Sequence, residues 1–260
     1  MPSRVQRNLK TRNFGRRIYY YPVTDSTNRV AMTLARAGEA DGTVVVTDFQ
    51  TRGKGRFDRT WASRAGEDLL FSVILRPDSP PQSLLPVTLV FSALVANALS
   101  ATLGAQVAVE WPNDMVTRRG KIGGILAEGS VTTPELAFAV VGTGLNVNSL
   151  PGDFPDELRD HLATCRAESG HRWDRGEILA VVLEAMEGGY NRFLTEGFAG
   201  LRATYENSLA FIGRRVSFST HGRRVTATVE GVDDDGALRV VADDSQQRLK
   251  LYSEEVTPVA

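Results

Sequence analysis

Residues 47–61 constrain this chain more than any other stretch. They end a β-branched run and then turn through Gln50-Thr51-Arg52-Gly53-Lys54-Gly55-Arg56-Phe57-Asp58-Arg59-Thr60-Trp61. The run at 43–49 is mostly apolar, which predicts a strand covered on both faces that must deliver the loop at its end. Glycines at 53 and 55 let backbone N–H groups come close to a ligand, and Arg52, Lys54, Arg56 and Arg59 put positive charge around that point. The loop therefore reads as an anion grip, with phosphate as its natural guest. By residue type, Trp61 fits a core or a contact position equally.

Length and apolar content, 260 residues with 42% hydrophobic, allow a well-buried core in one domain or two. The longest apolar-rich run, 84–103, is broken by Pro86, Thr88, Ser92, Asn97 and Ser100. A buried or amphipathic helix closed by Gly104 is expected there, and no membrane anchor. A single cysteine, Cys165, excludes an internal disulfide framework and fits a reducing, cytoplasmic setting.

A net charge of -1 predicts no general attraction for nucleic acid. The start is different: Arg4, Arg7, Lys10, Arg12, Arg16 and Arg17 fall within residues 1–17 with no acid, so a flexible, solvated basic arm is expected. It lacks the apolar core of a secretory signal. Too few residues precede the first strand for a helix-turn-helix, and sequence-specific DNA binding through that end is not expected. Only four of the 30 basic residues are lysine, namely Lys10, Lys54, Lys121 and Lys250. Two of these, Lys54 and Lys121, sit in glycine-rich turns, where a compact ammonium serves better than a planar fork.

Further strands are predicted at 18–21, 69–75, 107–111, 115–117, 121–128 and 136–142. Ser26 is a suitable N-cap for a helix with Val30, Ala31, Leu34 and Ala35 on one face and Gly38 as its stop. Ser26, Thr27 and Asn28 then cluster at a helix N-terminus; plain capping and the holding of a polar ligand head are both open. Gly123-Gly124 inside a strand means a bulge against a neighbouring helix or the close approach of a flat ligand. The Gly142-Thr143-Gly144 pair lacks the third glycine and following helix of a dinucleotide fingerprint. Residues 151–173, with Pro151, Gly152, Pro155 and Gly170, read as an ordered but mobile connection. Asp174 caps a helix over 175–193 that Gly188-Gly189 softly interrupts. Beyond 212, short β-prone runs at 215–219, 225–232, 237–241 and 248–252, divided by turns at His221-Gly222, Asp234-Asp235-Gly236 and Asp243-Asp244, suggest a small all-β barrel.

His161, His171 and His221 have no paired spacing and no cysteine partner, so no protein-only metal site is expected. No G-x-S-x-G elbow occurs, and a Ser-His-Asp centre cannot be assembled locally.

Five blocks in order, Asp25-Ser26-Thr27-Asn28, Gly53-Lys54-Gly55-Arg56 with Trp61, Trp111-Pro112-Asn113-Asp114, Lys121-Ile122-Gly123-Gly124-Ile125-Leu126 and Gly142-Thr143-Gly144-Leu145-Asn146, resemble the biotin protein ligase family. The resemblance is strong over residues 18–148 and architectural over the small barrel. Each glycine piece is common, whereas the joint pattern is specific. The resemblance is to the monofunctional form without an N-terminal DNA-binding domain. It implies an α+β fold: a class II synthetase-like catalytic domain (18–210), a central mixed β-sheet flanked by helices, followed by an SH3-like barrel (211–260).

The activity implied is activation of biotin by ATP, with Mg2+, to biotinyl-5′-adenylate, then acylation of a lysine on the biotin carboxyl carrier protein. Biotin, an apolar bicycle with a polar ureido edge, calls for an apolar slot with a few placed hydrogen-bonding groups. The implied biotin-binding residues are Ser26, Thr27, Asn28, Gln50, Gly53, Lys54, Gly55, Arg56, Lys121, Gly124, Gly142 and Gly144. Lys121, Arg56 and Lys54 are the implied catalytic cations, and Arg56, Arg59, Trp61, Asn113, Asp114, Lys121 and Asn146 the implied ATP contacts. For Trp173, covering the adenine and packing both stand. Lys54 stands where arginine is commonest in the family, Asp58 replaces a usual glycine, and Glu110 takes a position that is often basic, which bears on loop geometry and nucleotide affinity. Two rivals remain: a lipoate or other acyl-adenylate ligase of the same superfamily, and a silent module that senses biotin or its adenylate.

Overall fold

The computed structural model describes residues 2–77, 85–130, 138–220 and 222–259. The first half of the chain runs α1 (Pro2–Asn8), β1 (Ile18–Tyr21), α2 (Thr27–Arg36), β2 (Val44–Thr47), β3 (Leu69–Leu75), α3 (Leu85–Leu103), β4 (Ala108–Glu110), β5 (Asp114–Thr117), β6 (Gly120–Ser130) and β7 (Phe138–Leu145). Four helices follow: α4 (Asp156–Arg159), α5 (Cys165–Ser169), α6 (Arg175–Glu196) and α7 (Arg202–Ser208). The chain closes with β8 (Arg215–Thr220), β9 (Arg223–Val232), β10 (Leu238–Ala242), β11 (Arg248–Leu251) and β12 (Thr257–Pro258). Leu84, Leu136 and His221, each part of a predicted element or turn, lie outside the described residues.

Strands β1 to β7 form one mixed sheet in the order β1-β2-β3-β7-β6-β5-β4, in which β1 and β2 run parallel and the other neighbours antiparallel. Alternation along the strands sorts their side chains between two layers. Val45, Ile74 and Val140 pack with Ala31 and Ala35 of α2, while Val44, Val46 and Val73 join the larger core with α3 and α6. Helix α3 is long and apolar enough to cross a membrane by length and composition, and in this fold it packs on α6, α7 and β6. The remaining strands make a separate antiparallel sheet, β11-β10-β9-β8-β12. The expected α+β class, with a mixed central sheet and a small all-β unit, is the class observed. Trp111 joins the two units by donating its indole N–H to the Gly236 carbonyl at 3.1 Å.

Three expectations need correction. The basic segment 1–17 is docked along its described length: α1 packs on α6, and Val5 and Phe14 are fully buried. Burying side chains of that size contributes about 2 kcal/mol each, and the buried Glu187 carboxylate accepts the backbone N–H groups of Arg12, Asn13 and Phe14 at 2.8, 2.5 and 2.8 Å. The connection at 151–173 contains α4 and α5 and is tied to β6, where Lys121 N–H donates to the His161 carbonyl and Ala163 N–H to the Lys121 carbonyl, both at 2.8 Å. Helix α6 runs through Gly188-Gly189 without a break. A Cβ on Gly189 would come 1.8 Å from Leu94 Cδ1, so that glycine lets α6 and α3 approach.

Candidate active site

The loop after β2 is held by a bridge between Lys54 and Thr60, with Trp61 N–H donating to the Gly53 carbonyl at 3.0 Å and Gly55 N–H to the Arg59 carbonyl at 2.7 Å. Its tip contains a short 3-10 turn, Arg56–Asp58, in which Phe57 and Asp58 both adopt φ of 55°. That left-handed backbone is where glycine is favoured and aspartate is the better tolerated of the alternatives, which accounts for the departure at position 58.

Under the loop lies a cleft of about 410 Å³, walled by the N-terminus of α2, the glycine faces of β6 and β7, β5, and residues 254–257, which lead from β11 into β12. It brings together Ser26, Thr27, Asn28, Gln50, Lys54, Gly55, Arg56, Arg59, Trp61, Asn113, Asp114, Lys121, Gly124, Gly142, Gly144 and Asn146. Gly53 is the one expected contact left out. It is buried beneath the loop, and a Cβ there would meet Gln50 Nε2 at 2.9 Å, so it acts by leaving room for Gln50.

At one end of the cleft the groups are uncharged apart from the Glu128 carboxylate. Gln50 Oε1 accepts from Thr27 N–H at 2.7 Å, and Asn28 Nδ2 donates to Glu128 Oε2 at 2.6 Å. Ser26 occupies the N-cap position of α2 with extended backbone, yet its hydroxyl makes no capping hydrogen bond and lines the cleft. The floor is glycine. A Cβ on Gly142 would come 2.2 Å from Asn28 Oδ1, and one on Gly144 would come 2.5 Å from Trp61 Cε2. Neither glycine meets a helix: Gly123 makes room within the sheet, and Gly124 lies on the cleft side. Gly123 is buried against Leu145 and Met115, whereas a Cβ on Gly124 would lie 3.1 Å from Asp114 Oδ1 and 3.3 Å from Trp61 Cζ3. Trp61 thus lines the cleft, with its ring resting on the floor.

At the other end the groups are charged. Lys121 Nζ lies 2.6 Å from Asp114 Oδ2 and 5.4 Å from the centre of the Trp61 ring. Asp114 Oδ1 is buried with no hydrogen-bond partner. Arg56 reaches Asn113 Oδ1 at 3.5 Å and the Ser253 carbonyl at 3.2 Å, and Arg59 pairs with Glu255. Burial pulls the Arg56 guanidinium below its ordinary pKa, opposed chiefly by the Asp114 charge. Burial, and then Asp114, push the Glu110 carboxyl up, with Lys121 opposing. Lys54 turns its ammonium to Asp58 at 3.0 Å on the exposed side of the loop. Asn146 spends its amide N–H groups on the carbonyls of Lys121 and Ala163, at 3.2 and 3.1 Å, and so braces the lysine from below.

Trp173 does not line the cleft. Its indole N–H donates to Ser169 Oγ at 2.8 Å and its ring packs against the core, so the packing reading holds. Several lining residues were not anticipated. Thr143 lies between the two flagged glycines with a buried, unpartnered hydroxyl, and Glu128 ends the flagged lysine-glycine block. Leu158, Leu162 and residues 254–257 arrive from distant segments and carry no local signal.

The sequence matches the Biotin/lipoate A/B protein ligase family over residues 20–146 and the Biotin protein ligase C terminal domain over residues 211–253. The bifunctional ligase/repressor BirA of Bacillus subtilis is 32% identical over 254 residues, covering 98% of this chain and 78% of that protein. The biotin--[acetyl-CoA-carboxylase] ligase of Mycobacterium tuberculosis is 31% identical over 221 residues, covering 83% and 79%. Among solved structures, the biotin protein ligase of Aquifex aeolicus in complex with biotin and ATP superposes with a TM-score of 0.81 at 26% identity, covering 94% of this chain and all of that one. With its fold, its cleft and both of its conserved-domain matches in agreement, the chain belongs to the biotin protein ligase family and is a ligase.

Proposed function

We propose that this ligase joins biotin and ATP into biotinyl-5′-adenylate and transfers the biotinyl group to a lysine of a biotin carboxyl carrier protein. The observation that carries the reading is the polarity of one cleft: uncharged hydrogen-bonding groups at Thr27, Asn28 and Gln50, a glycine floor, then Lys121 and Arg56 at the far end. A bicyclic ureido ring fits the first end and a nucleotide phosphate the second, so the ring's carboxylate tail meets the phosphate beside Lys121.

In the first step a biotin carboxylate oxygen attacks the α-phosphorus, an O–P bond forms, and pyrophosphate leaves. Two anions must approach, so catalysis is chiefly positional and electrostatic. Lys121 would leave Asp114 to bridge the reacting oxygens, with Arg56 on the phosphates. A contact of this kind typically lowers the barrier by about 3 kcal/mol. Lys54, paired with Asp58, would frame the loop rather than touch the reacting atoms. The unpartnered Asp114 Oδ1, beside Asn113, fits a magnesium ion carried in on the phosphates, whose charge would ease departure of pyrophosphate. Among the described residues no group of three His, Cys, Asp or Glu side chains is arranged to hold a metal by itself. In the second step a lysine amine attacks the acyl carbon and AMP leaves.

The test is incubation with biotin, Mg–ATP and an apo carrier domain, followed by intact-mass measurement. One biotinyl group on a single carrier lysine is expected. No modification of any carrier domain, with adenylate accumulating, would confine the enzyme to the first step.

A further inference from the structure

The hydroxyl of Ser72 is fully buried in the middle of β3, between β2 and β7, and the mechanism above gives it no task. Its Oγ lies 2.6 Å from Asn28 Oδ1 and 2.8 Å from Thr27 Oγ1, and Thr27 Oγ1 lies 3.1 Å from Gln50 Oε1. Four oxygens therefore form a chain of three short contacts. Only the protons of Ser72 and Thr27 are there to fill them. The amide orientations at the two ends are set by partners of unambiguous role. Asn28 Nδ2 donates to Glu128 Oε2 at 2.6 Å, which turns its oxygen to Ser72, and Gln50 must present an oxygen to the Thr27 N–H at 2.7 Å.

Proton placement follows from these ends. Asn28 Oδ1 can only accept, so the Ser72 proton belongs to the 2.6 Å contact. Ser72 Oγ then meets Thr27 at 2.8 Å by accepting the Thr27 proton, since the alternative sets two lone pairs against each other at that distance. The longest contact, between Thr27 and Gln50, is left without a proton. Two acceptor oxygens 3.1 Å apart thus face each other at the cleft wall, where a ligand N–H would satisfy both.

We propose that Ser72 is a positioning residue that sets the hydrogen-bond polarity of the vitamin end of the cleft. By drawing the Thr27 proton inward, it makes Thr27 and Gln50 a paired acceptor for one ureido N–H. The assignment rests on biotin occupying that end. It also supplies discrimination, because a dithiolane ring has no N–H and would leave both oxygens unmatched.

The test is calorimetric binding to the full chain and to Ser72→Ala and Ser72→Cys, using biotin and the two analogues in which one or the other ureido N–H is replaced by CH2. For Ser72→Ala, biotin affinity is expected to fall about tenfold, the loss of one well-placed hydrogen bond. One of the analogues should bind the unaltered protein weakly and lose nothing further in Ser72→Ala, and the KM for ATP at saturating biotin should stay the same. Ser72→Cys, close in size and a poor donor, should behave as Ser72→Ala does and stands in for it if the alanine variant fails to fold. Unchanged biotin affinity in both variants, or an equal loss for biotin and both analogues, would overturn the role of Ser72. Failure of the unaltered protein to bind biotin would instead overturn the proposed function.

Discussion

The indole of Trp61 covers Gly144 so closely that a Cβ on the glycine would sit 2.5 Å from Trp61 Cε2. A flat ring over a bare backbone floor is the geometry a bicyclic substrate must share. Gly144→Ala should therefore displace the indole, weaken biotin binding by at least about tenfold, and destabilise the fold by roughly 1–3 kcal/mol as overpacking does. Biotin titration and thermal melting would check this; unaltered affinity would mean that the floor is not used.

The backbone of Lys121 is tied to His161 and Ala163 independently of its side chain. Lys121→Ala should accordingly keep the fold, with a melting curve close to that of the unaltered protein. Adenylate formation should fall by a hundredfold or more, on the order of 3 kcal/mol in barrier. Near-normal rates in single-turnover experiments would remove Lys121 from the mechanism.

Glu187 holds three backbone N–H groups of the N-terminal segment from a buried position. Glu187→Ala leaves them without an acceptor and should cost about 3 kcal/mol, since each unsatisfied buried donor carries a penalty of its own. Amide exchange at residues 12–14 should accelerate. Protection there that matches the unaltered protein would contradict the docking.

The Glu110 carboxyl has its folded pKa raised, by burial first and Asp114 second, so its contribution to stability is present below its unfolded pKa and is lost as pH rises through the raised value. Glu110→Gln should be close to neutral at low pH and increasingly stabilising, relative to the unaltered protein, as pH approaches neutrality. The same carboxylate faces the phosphate end of the cleft, so the substitution should also lower the KM for ATP at neutral pH. Denaturant midpoints across pH would test the sign: a stability difference that shrinks with rising pH would contradict it.

Local signals made the sheet readable and long-range partners did not. Strands β1, β2 and β3 stand out because aromatic or β-branched runs end in turn residues, and the cleft followed because its glycines, Lys121 and the Asp25-Ser26-Thr27-Asn28 block are each compact in sequence. The N-terminal segment was misjudged because Val5, Leu9 and Phe14 are scattered among cations and their anchor, Glu187, lies more than 170 residues away. Residues 254–257 line the cleft only because the small sheet folds back over the loop, with Glu255 on Arg59 and the Ser253 carbonyl on Arg56. No local pattern encodes such a return. Ser72 was equally silent, one hydroxyl in an apolar strand, and its meaning depends on the protons of its neighbours.

In the proposed mechanism one cleft seats a ureido ring against Thr27 and Gln50 and brings its carboxylate to a phosphate beside Lys121. Exchange of labelled pyrophosphate into ATP, measured with biotin and with lipoate in parallel, tests it most directly. Robust exchange that requires biotin, is absent with lipoate and is lost in Lys121→Ala is the predicted result. Exchange supported by lipoate and not by biotin would contradict the account.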